Sequence, residues 1–411
     1  MFIEKDNMAS SEIRRKGFGL RDEIKGQVGA DYGNHLVDWL RTNGHRCRSG
    51  RLTISLARAF GFCYGVERAV DYAYETVRMY ADRRVFLVGE IIHNPGVNGR
   101  LTEQGITILP GHDFTHPAYD EILPSDVVII PAFGTTSELF ARLRGRGCVL
   151  VDTTCGSVMN VWKRVRQYAR QSFTAVVHGK ARHEETRATC SQAVELGGHY
   201  LVVLDLAEAD LVADYIRQGG DREAFLRAFT GCHSAGFDPD RDLVRIGLAN
   251  QTTMLSSESL EVANRLRRAV VDREGTNAID HAFLSFDTIC GATQERQDAV
   301  IELLADPPDL MLIVGGYNSS NTMHLVEIAS KSVPTYFIRD AGLIIDGHAI
   351  QHRDIVRGSD VTTEGWLPDG PVRIGITAGA SCPDNQVGET IARVLRVAGE
   401  RLPDLGDGSA R

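Results

Sequence analysis

Cys63, Cys155 and Cys290 occupy the same kind of place in the sequence. In "AFGFCYGVERAV", "VDTTCGSVMNVWKRV" and "SFDTICGATQERQDAV" an apolar run ends, a cysteine follows, and helical periodicity begins. Thiolate is a soft ligand suited to iron–sulfur clusters, zinc and copper(I). An ordinary electron-transfer cluster takes four cysteines. Three that converge on one centre leave a metal position open, as three-ligand zinc sites leave one for water or substrate. The competing reading is of small apolar side chains at buried strand ends. Cys47, Cys148, Cys190, Cys232 and Cys382 are read in that second way. The chain has no Cys-x-x-Cys pair, which argues against zinc ribbons and thioredoxin-like chemistry.

A second group of residues suits a polyanion. "GGYNSSNTMHL" puts Asn318, Ser319, Ser320 and Asn321 at a helix start, and "AGASCPDNQ" repeats the arrangement with Ser381. Such residues cap helices, and a helix start also offers free N–H groups to phosphate. With His93 in "EIIHNP" and His178 and His183 in "VVHGKARHEE", the set points to a pocket for a polyanion. Glu184 and Glu185 follow His183. A pocket carboxylic acid is a natural proton donor, and acids in the first turn of a surface helix are the plainer alternative. Gln251, Thr252 and Thr253 of "LANQTTML" read either as pocket residues or as a helix cap.

The elements that must position these residues follow from periodicity. Short β-branched runs alternate with loops and amphipathic helices, as in "DVVIIPAFGTTSELFARLR" and "DLMLIVGGYNSSNTMHLVEIA". That pattern predicts βαβ units and mostly parallel sheets, whose strand ends are the usual place for ligands. The shared "DTTCG" (152–156) and "DTICG" (287–291) suggest an internal repeat. We therefore expect an N-terminal extension over 1–50 and three α/β domains, over 51–150 with Cys63, 151–284 with Cys155 and 285–400 with Cys290. A flexible tail over 401–411 completes the chain. Within this scheme 205–245 reads as a helical insertion with a polar loop.

Composition narrows the classes. The 411 residues are 43% hydrophobic and 24% charged, with a formal net charge of -9, so a soluble globular protein is expected and a general nucleic-acid binder is not. No apolar run reaches membrane-spanning length, and the first residues lack the hydrophobic core of a secretory signal. A cytoplasmic location is expected. Neither a Rossmann glycine fingerprint nor a P-loop is present, so electrons for any redox step would come from another protein. Residues 14–58 carry Arg14, Arg15, Lys16, Arg41, Arg46, Arg48, Arg51 and Arg58, either a dock for an acidic donor or a solvated mixed-charge extension.

Taken in order, "GFCYGVERAV", "EIIHNPGVN", "PAFG", "DTTC", "HGKARHEET", "NQTTM", "DTICGATQERQDAV", "GGYNSSNT" and "TAGAS" resemble the 4-hydroxy-3-methylbut-2-enyl diphosphate reductase (LytB/IspH) family from about residue 52 to 395. The extension and the "PAFG" and "HEET" variants resemble its longer plant and cyanobacterial branch. The resemblance implies three α/β domains in pseudo-threefold arrangement around one 4Fe–4S cluster, held by Cys63, Cys155 and Cys290. It implies that His93, His183, Ser319, Ser320, Asn321 and Ser381 hold the diphosphate and neighbouring hydroxyl of a small allylic diphosphate. Glu185 would be the proton donor, assisted by Thr252. The implied reaction is a two-electron reductive dehydroxylation to isopentenyl and dimethylallyl diphosphate, last in the non-mevalonate isoprenoid pathway, with ferredoxin or flavodoxin as donor. Phe133, Gly156 and Asn160 depart from common family residues, which are His, Pro and Lys respectively. Quinolinate synthase and an iron–sulfur redox sensor are the alternatives. The "HEET", "NSSNT" and "TAGAS" set argues against the first, and a sensor has no need of convergent His, Ser, Asn and Glu.

Overall fold

Aliphatic runs bounded by glycine and polar loops become parallel strands buried on both faces, as such runs do when helices cover the sheet on either side. The computed structural model describes residues 12–111, 116–286 and 288–405. The chain divides into two compact units. Of the described residues, one unit holds those up to 18, 75–91 and 101–290, and the other holds 19–74, 92–100 and 291 onward.

The first unit contains two wholly parallel sheets. One runs β1 (Ile13–Arg14), β7 (Val149–Asp152), β6 (Val127–Ile130), β4 (Val85–Val88), β5 (Ile106–Leu109). The other runs β11 (Phe283–Ser285), β10 (Ile246–Asn250), β8 (Thr174–His178), β9 (Tyr200–Val203). Every residue of β4, β6, β7, β8 and β10 is buried. The helix Gly156–Arg170 covers β10 with Val158, Val161, Val165 and Tyr168, a three-and-four spacing that makes one apolar face. Tyr168 is the one polar member, and its hydroxyl donates to the Leu248 carbonyl at 2.7 Å. Region 205–245 forms the helices Leu206–Gln218, Arg222–Ala228 and Pro239–Asp242.

The second unit is built on a seven-stranded mixed sheet. Its order is β15 (Ser359–Glu364), β14 (Ala349–Asp354), β13 (Thr335–Ile338), β12 (Leu310–Val314), β16 (Val372–Ala378), β3 (Leu52–Leu56), β2 (Arg46–Ser49). The four strands from β13 to β3 are parallel, and hairpin-like antiparallel pairs finish both edges.

The sheets do not follow contiguous segments. Strand β3, which leads to Cys63, pairs with β16 rather than with the strands that follow it. Residues 1–50, expected to be an extension, also reach the core. The helix His35–Thr42, capped by the Asn34 side chain, buries Leu36, Val37 and Leu40 against this sheet. Few of the cations of 14–58 are spare. Arg15 pairs with Asp152, Arg41 with Asp384 and Arg58 with Glu302, while Arg51 donates to the carbonyls of Pro368 and Gly370. Asp287 of the second repeat and residues 406–411 of the tail lie outside the described residues.

Candidate active site

In the first unit, strand ends of both sheets deliver site residues. Beyond β7, Cys155 caps the helix Gly156–Arg170. Its N–H donates to the Ala132 carbonyl at 3.0 Å, in the loop that follows β6. The next residue of that loop, Phe133, meets the His183 ring edge-on, with centroids 5.6 Å apart and planes at 77°. His183 caps the helix Glu184–Val194, its Nδ1 accepting the Glu185 N–H at 3.2 Å. That bond leaves the ring proton on Nε2, a donor suited to an anion.

Glu185 is only 1% exposed. One carboxylate oxygen accepts the Thr252 N–H at 2.6 Å and the other accepts the Thr252 hydroxyl at 2.9 Å. The Thr252 carbonyl accepts the Cys290 N–H at 3.2 Å. One residue after β10 thus fixes both the acid and a cysteine. Gln251 steadies it: its Oε1 accepts from the Lys180 N–H and the Thr186 hydroxyl, and its Nε2 donates to Thr253. His178 lies within β8 rather than in a loop, fully buried, with Nδ1 2.8 Å from the Ser259 hydroxyl.

In the second unit, Ala380 ties the strand-end loops together. Its carbonyl accepts the Cys63 N–H at 3.3 Å and its N–H donates to Asn321 Oδ1 at 2.9 Å. Ser319 caps the helix Ser320–Ala329, its hydroxyl accepting the Thr322 N–H. The Ser381 hydroxyl donates to the His93 carbonyl at 3.3 Å, and the Asn94 amide donates to the Ser381 carbonyl at 2.9 Å. A Cβ at Gly316 would collide with the His93 carbonyl oxygen, so glycine is what lets these two loops touch. His93, Ser319, Ser320, Asn321 and Ser381 are all buried. The Asn321 Nδ2 has no partner among the described residues although buried. A buried donor of this kind is costly unless something else accepts from it.

Sequence reasoning missed Arg296, Asn94 and Gln386. Arg296 is 5% exposed and donates to the Gly61 carbonyl at 3.2 and 2.7 Å and to the Phe62 carbonyl at 3.1 Å. It sets the backbone that leads into Cys63. Asn94 caps the helix Pro95–Glu103 and exchanges amide bonds with Gln386. Arg296→Met keeps the length but leaves those carbonyls without their donor. A loss of about 2–4 kcal/mol in unfolding free energy is expected, with reduced iron after reconstitution. Normal iron content in a stable variant would remove Arg296 from the support of Cys63.

Each of the three cysteines has the chemistry of a thiolate ligand. All eight cysteines are free of disulfides; Cys63, Cys155 and Cys290 are part-exposed and each sits directly before a helix. Burial pushes the other five thiols up, Cys148 to about 11. They are held as thiols, which are poor ligands.

The family described as "LytB protein" matches residues 54–395. The chain belongs to that family. Relatives named 4-hydroxy-3-methylbut-2-enyl diphosphate reductase support this over most of the chain. That of a Synechococcus species is 49% identical over 95% of both chains, and that of Gloeobacter violaceus 48% identical over 95% of this chain and 94% of its own. A solved structure of (E)-4-hydroxy-3-methyl-but-2-enyl diphosphate reductase, "the Terminal Enzyme of the Non-Mevalonate Pathway", is 27% identical with a TM-score of 0.52. It covers 84% of this chain and 99% of its own. The reductase from Plasmodium falciparum, 18% identical with a TM-score of 0.61 over 83% and 87%, shares the fold. Within this LytB chain the departures are accommodated locally. Gly156 is exposed, with open space where a Cβ would go, and Asn160 is exposed. Phe133 supplies a ring edge to His183. Among the described residues no helix is long and apolar enough to cross a membrane.

Proposed function

We propose that this chain is a 4-hydroxy-3-methylbut-2-enyl diphosphate reductase. It removes the substrate's allylic hydroxyl as water to give isopentenyl and dimethylallyl diphosphate. The observation that carries the reading is the buried Glu185 carboxylate, held by the N–H and hydroxyl of Thr252, whose carbonyl holds Cys290. Acid and metal ligand are fixed by one residue.

Cys63, Cys155 and Cys290 would hold a 4Fe–4S cluster, which when bound supplies the two electrons. Reduction breaks the C–O bond and consumes two protons, one on the departing oxygen and one on carbon. Glu185 holds a proton at its carboxyl and passes it by way of the Thr252 hydroxyl, which donates to the unprotonated carboxylate and turns to accept from the protonated one. His93, His183, Ser319, Ser320, Asn321 and Ser381 bind the diphosphate and the neighbouring hydroxyl. The His183 Nε2–H and the unpartnered Asn321 Nδ2 are donors for that load. Burial of the set excludes water from the reacting carbon.

The donor would be a small acidic protein of the ferredoxin or flavodoxin kind. With Arg14 paired to Glu12 and Arg21 to Asp71, Lys16, Lys25, Arg46 and Arg48 are the exposed cations of 14–58 that make no ion pair among the described residues. The decisive experiment is anaerobic reconstitution with iron and sulfide, followed by a dithionite-driven assay on the allylic diphosphate. Formation of both isomeric products is expected. A fully loaded protein that binds the diphosphate without turnover would favour the redox-sensor reading.

A further inference from the structure

In the second unit, the loops that carry His93 and Ser381 are joined by the side chain of Asn94. It is 1% exposed, and each end of its amide is engaged. The Oδ1 accepts the N–H groups of Gly96 and Val97 at 3.0 and 3.2 Å, at the start of the helix Pro95–Glu103. The Nδ2 donates to the Ser381 carbonyl and to Gln386 Oε1, both at 2.9 Å. A backbone N–H only donates and a carbonyl only accepts, so a single orientation of the amide makes all these bonds.

The same residue closes the turn that presents His93. The Asn94 N–H donates to the Ile92 carbonyl at 2.8 Å, which puts His93 at the centre of a three-residue turn. Asn98, one turn along the helix, donates to the carbonyls of Ile92 and Asn94 at 2.8 and 3.0 Å.

Gln386 lies on the helix Asp384–Val397. Its Oε1 also accepts from the Cys382 thiol at 3.3 Å, and its Nε2 returns a bond to Asn94 Oδ1 at 3.3 Å. The reciprocal amide pair holds both side chains in one plane of bonding. Gly96 leaves room for it, since a Cβ there would come 2.8 Å from Gln386 Nε2. Capping the helix does not call for this arrangement. A cap needs only the side-chain oxygen, and Ser or Asp would supply one as well. The NH₂ is what asparagine adds, and its bonds reach a segment 287 positions further along the chain.

We infer that Asn94, locked by Gln386, is a positioning residue that sets the spacing of His93 and Ser381 and thereby the affinity for the diphosphate. The inference rests on the reading of those two residues as diphosphate ligands. Asn94 holds Ser381 by its backbone carbonyl, so the Ser381 hydroxyl can turn from the His93 carbonyl to a phosphate oxygen while its loop stays in place. Loops held in the binding geometry beforehand need no ordering when the ligand arrives, and affinity rises accordingly.

The test is calorimetric titration of the anaerobic, iron-loaded protein with inorganic diphosphate, beside steady-state kinetics on the allylic diphosphate. Ser381→Ala reports on the underlying reading and should weaken diphosphate binding. Gln386→Leu removes the lock without touching the cap. It should weaken binding about tenfold, raise KM by a similar factor and leave kcat within about threefold. Asn94→Ser keeps a capping oxygen and adds no charge, and should weaken binding at least as much. Asn94→Asp caps as well as asparagine does and should unfold within a few degrees of the wild type. It should bind diphosphate more weakly still, because a carboxylate oxygen then faces the Ser381 carbonyl. Wild-type affinity in Gln386→Leu and Asn94→Ser, with Ser381→Ala weakened, overturns the inference and leaves Asn94 a helix cap. Unchanged affinity in Gln386→Leu with a lower kcat also overturns it and assigns Gln386 to the chemical step. A Ser381→Ala protein that binds as the wild type does removes the underlying reading, and the inference falls with it.

Discussion

Glu185→Gln should turn over roughly 10²–10⁴-fold more slowly than the wild type, the usual contribution of a positioned general acid. Hydroxide is a poor leaving group, so loss of the hydroxyl requires a proton on the departing oxygen. Glutamine keeps the size of the side chain, and its oxygen can still accept the Thr252 N–H now bonded at 2.6 Å. Its NH₂ then faces the Thr252 hydroxyl, which at present donates to a carboxylate oxygen at 2.9 Å. Both groups would be donors there, so the hydroxyl must turn to accept, and the amide has no acidic proton to pass on. Iron content should remain normal, because the Thr252 carbonyl that holds the Cys290 N–H is untouched. Diphosphate affinity should also change little. Thr252→Ser, which keeps the hydroxyl, should stay within a few-fold of wild type, and Thr252→Val should follow Glu185→Gln. Near-wild-type turnover in Glu185→Gln would sink the proton-donor role and leave the substrate's own diphosphate as the route.

The junctions that carry this chemistry were legible because they are local. A buried strand, a loop of small polar residues and a capped helix are contiguous, and each leaves its period and its cap in the sequence. The α/β class with mostly parallel sheets follows from that alternation. Sheet membership is not local. Nothing in residues 51–62 states that β3 pairs with β16, more than 300 positions away. Residues 1–50 read as an extension by composition because the helix His35–Thr42 buries only Leu36, Val37 and Leu40, too few to dominate a polar stretch. The antiparallel β14–β15 pair is half exposed, so it lacks the continuous apolar run that marks a buried strand. Arg296 stayed hidden because "QERQDAV" is an ordinary charged helix surface by periodicity. Its burial against the Gly61 and Phe62 carbonyls depends on a segment over 200 residues earlier. The Glu185–Thr252 pair is likewise 67 positions apart, and only the resemblance to a family placed the two in one site.

Cys63→Ser, Cys155→Ser and Cys290→Ser should each lose most of the reconstituted iron and nearly all activity, whereas Cys232→Ser should lose neither. Serine offers a hard alcohol where a soft thiolate is needed, and iron–sulfur centres select thiolate. The contrast with Cys232 is physical rather than positional. Burial raises the Cys232 thiol, and the nearby Glu208 charge adds to the effect. Cys148, pushed to about 11, is ionised to only about one part in 10⁴ at pH 7. Cys232 and the three proposed ligands are all part-exposed, but only the three sit immediately before a helix. The losses should not arise from unfolding, because the backbone N–H bonds of Cys63 to Ala380, Cys155 to Ala132 and Cys290 to Thr252 survive replacement of sulfur by oxygen. Thermal unfolding of each apoprotein should therefore match the wild-type apoprotein within a few degrees. Since three thiolates leave one iron of a four-iron cluster without a protein ligand, the loaded protein should also bleach in air within hours. Full iron and turnover in any of the three serine variants would remove that residue from the ligand set. A cluster that keeps its spectrum and activity for days in air would require a fourth protein ligand.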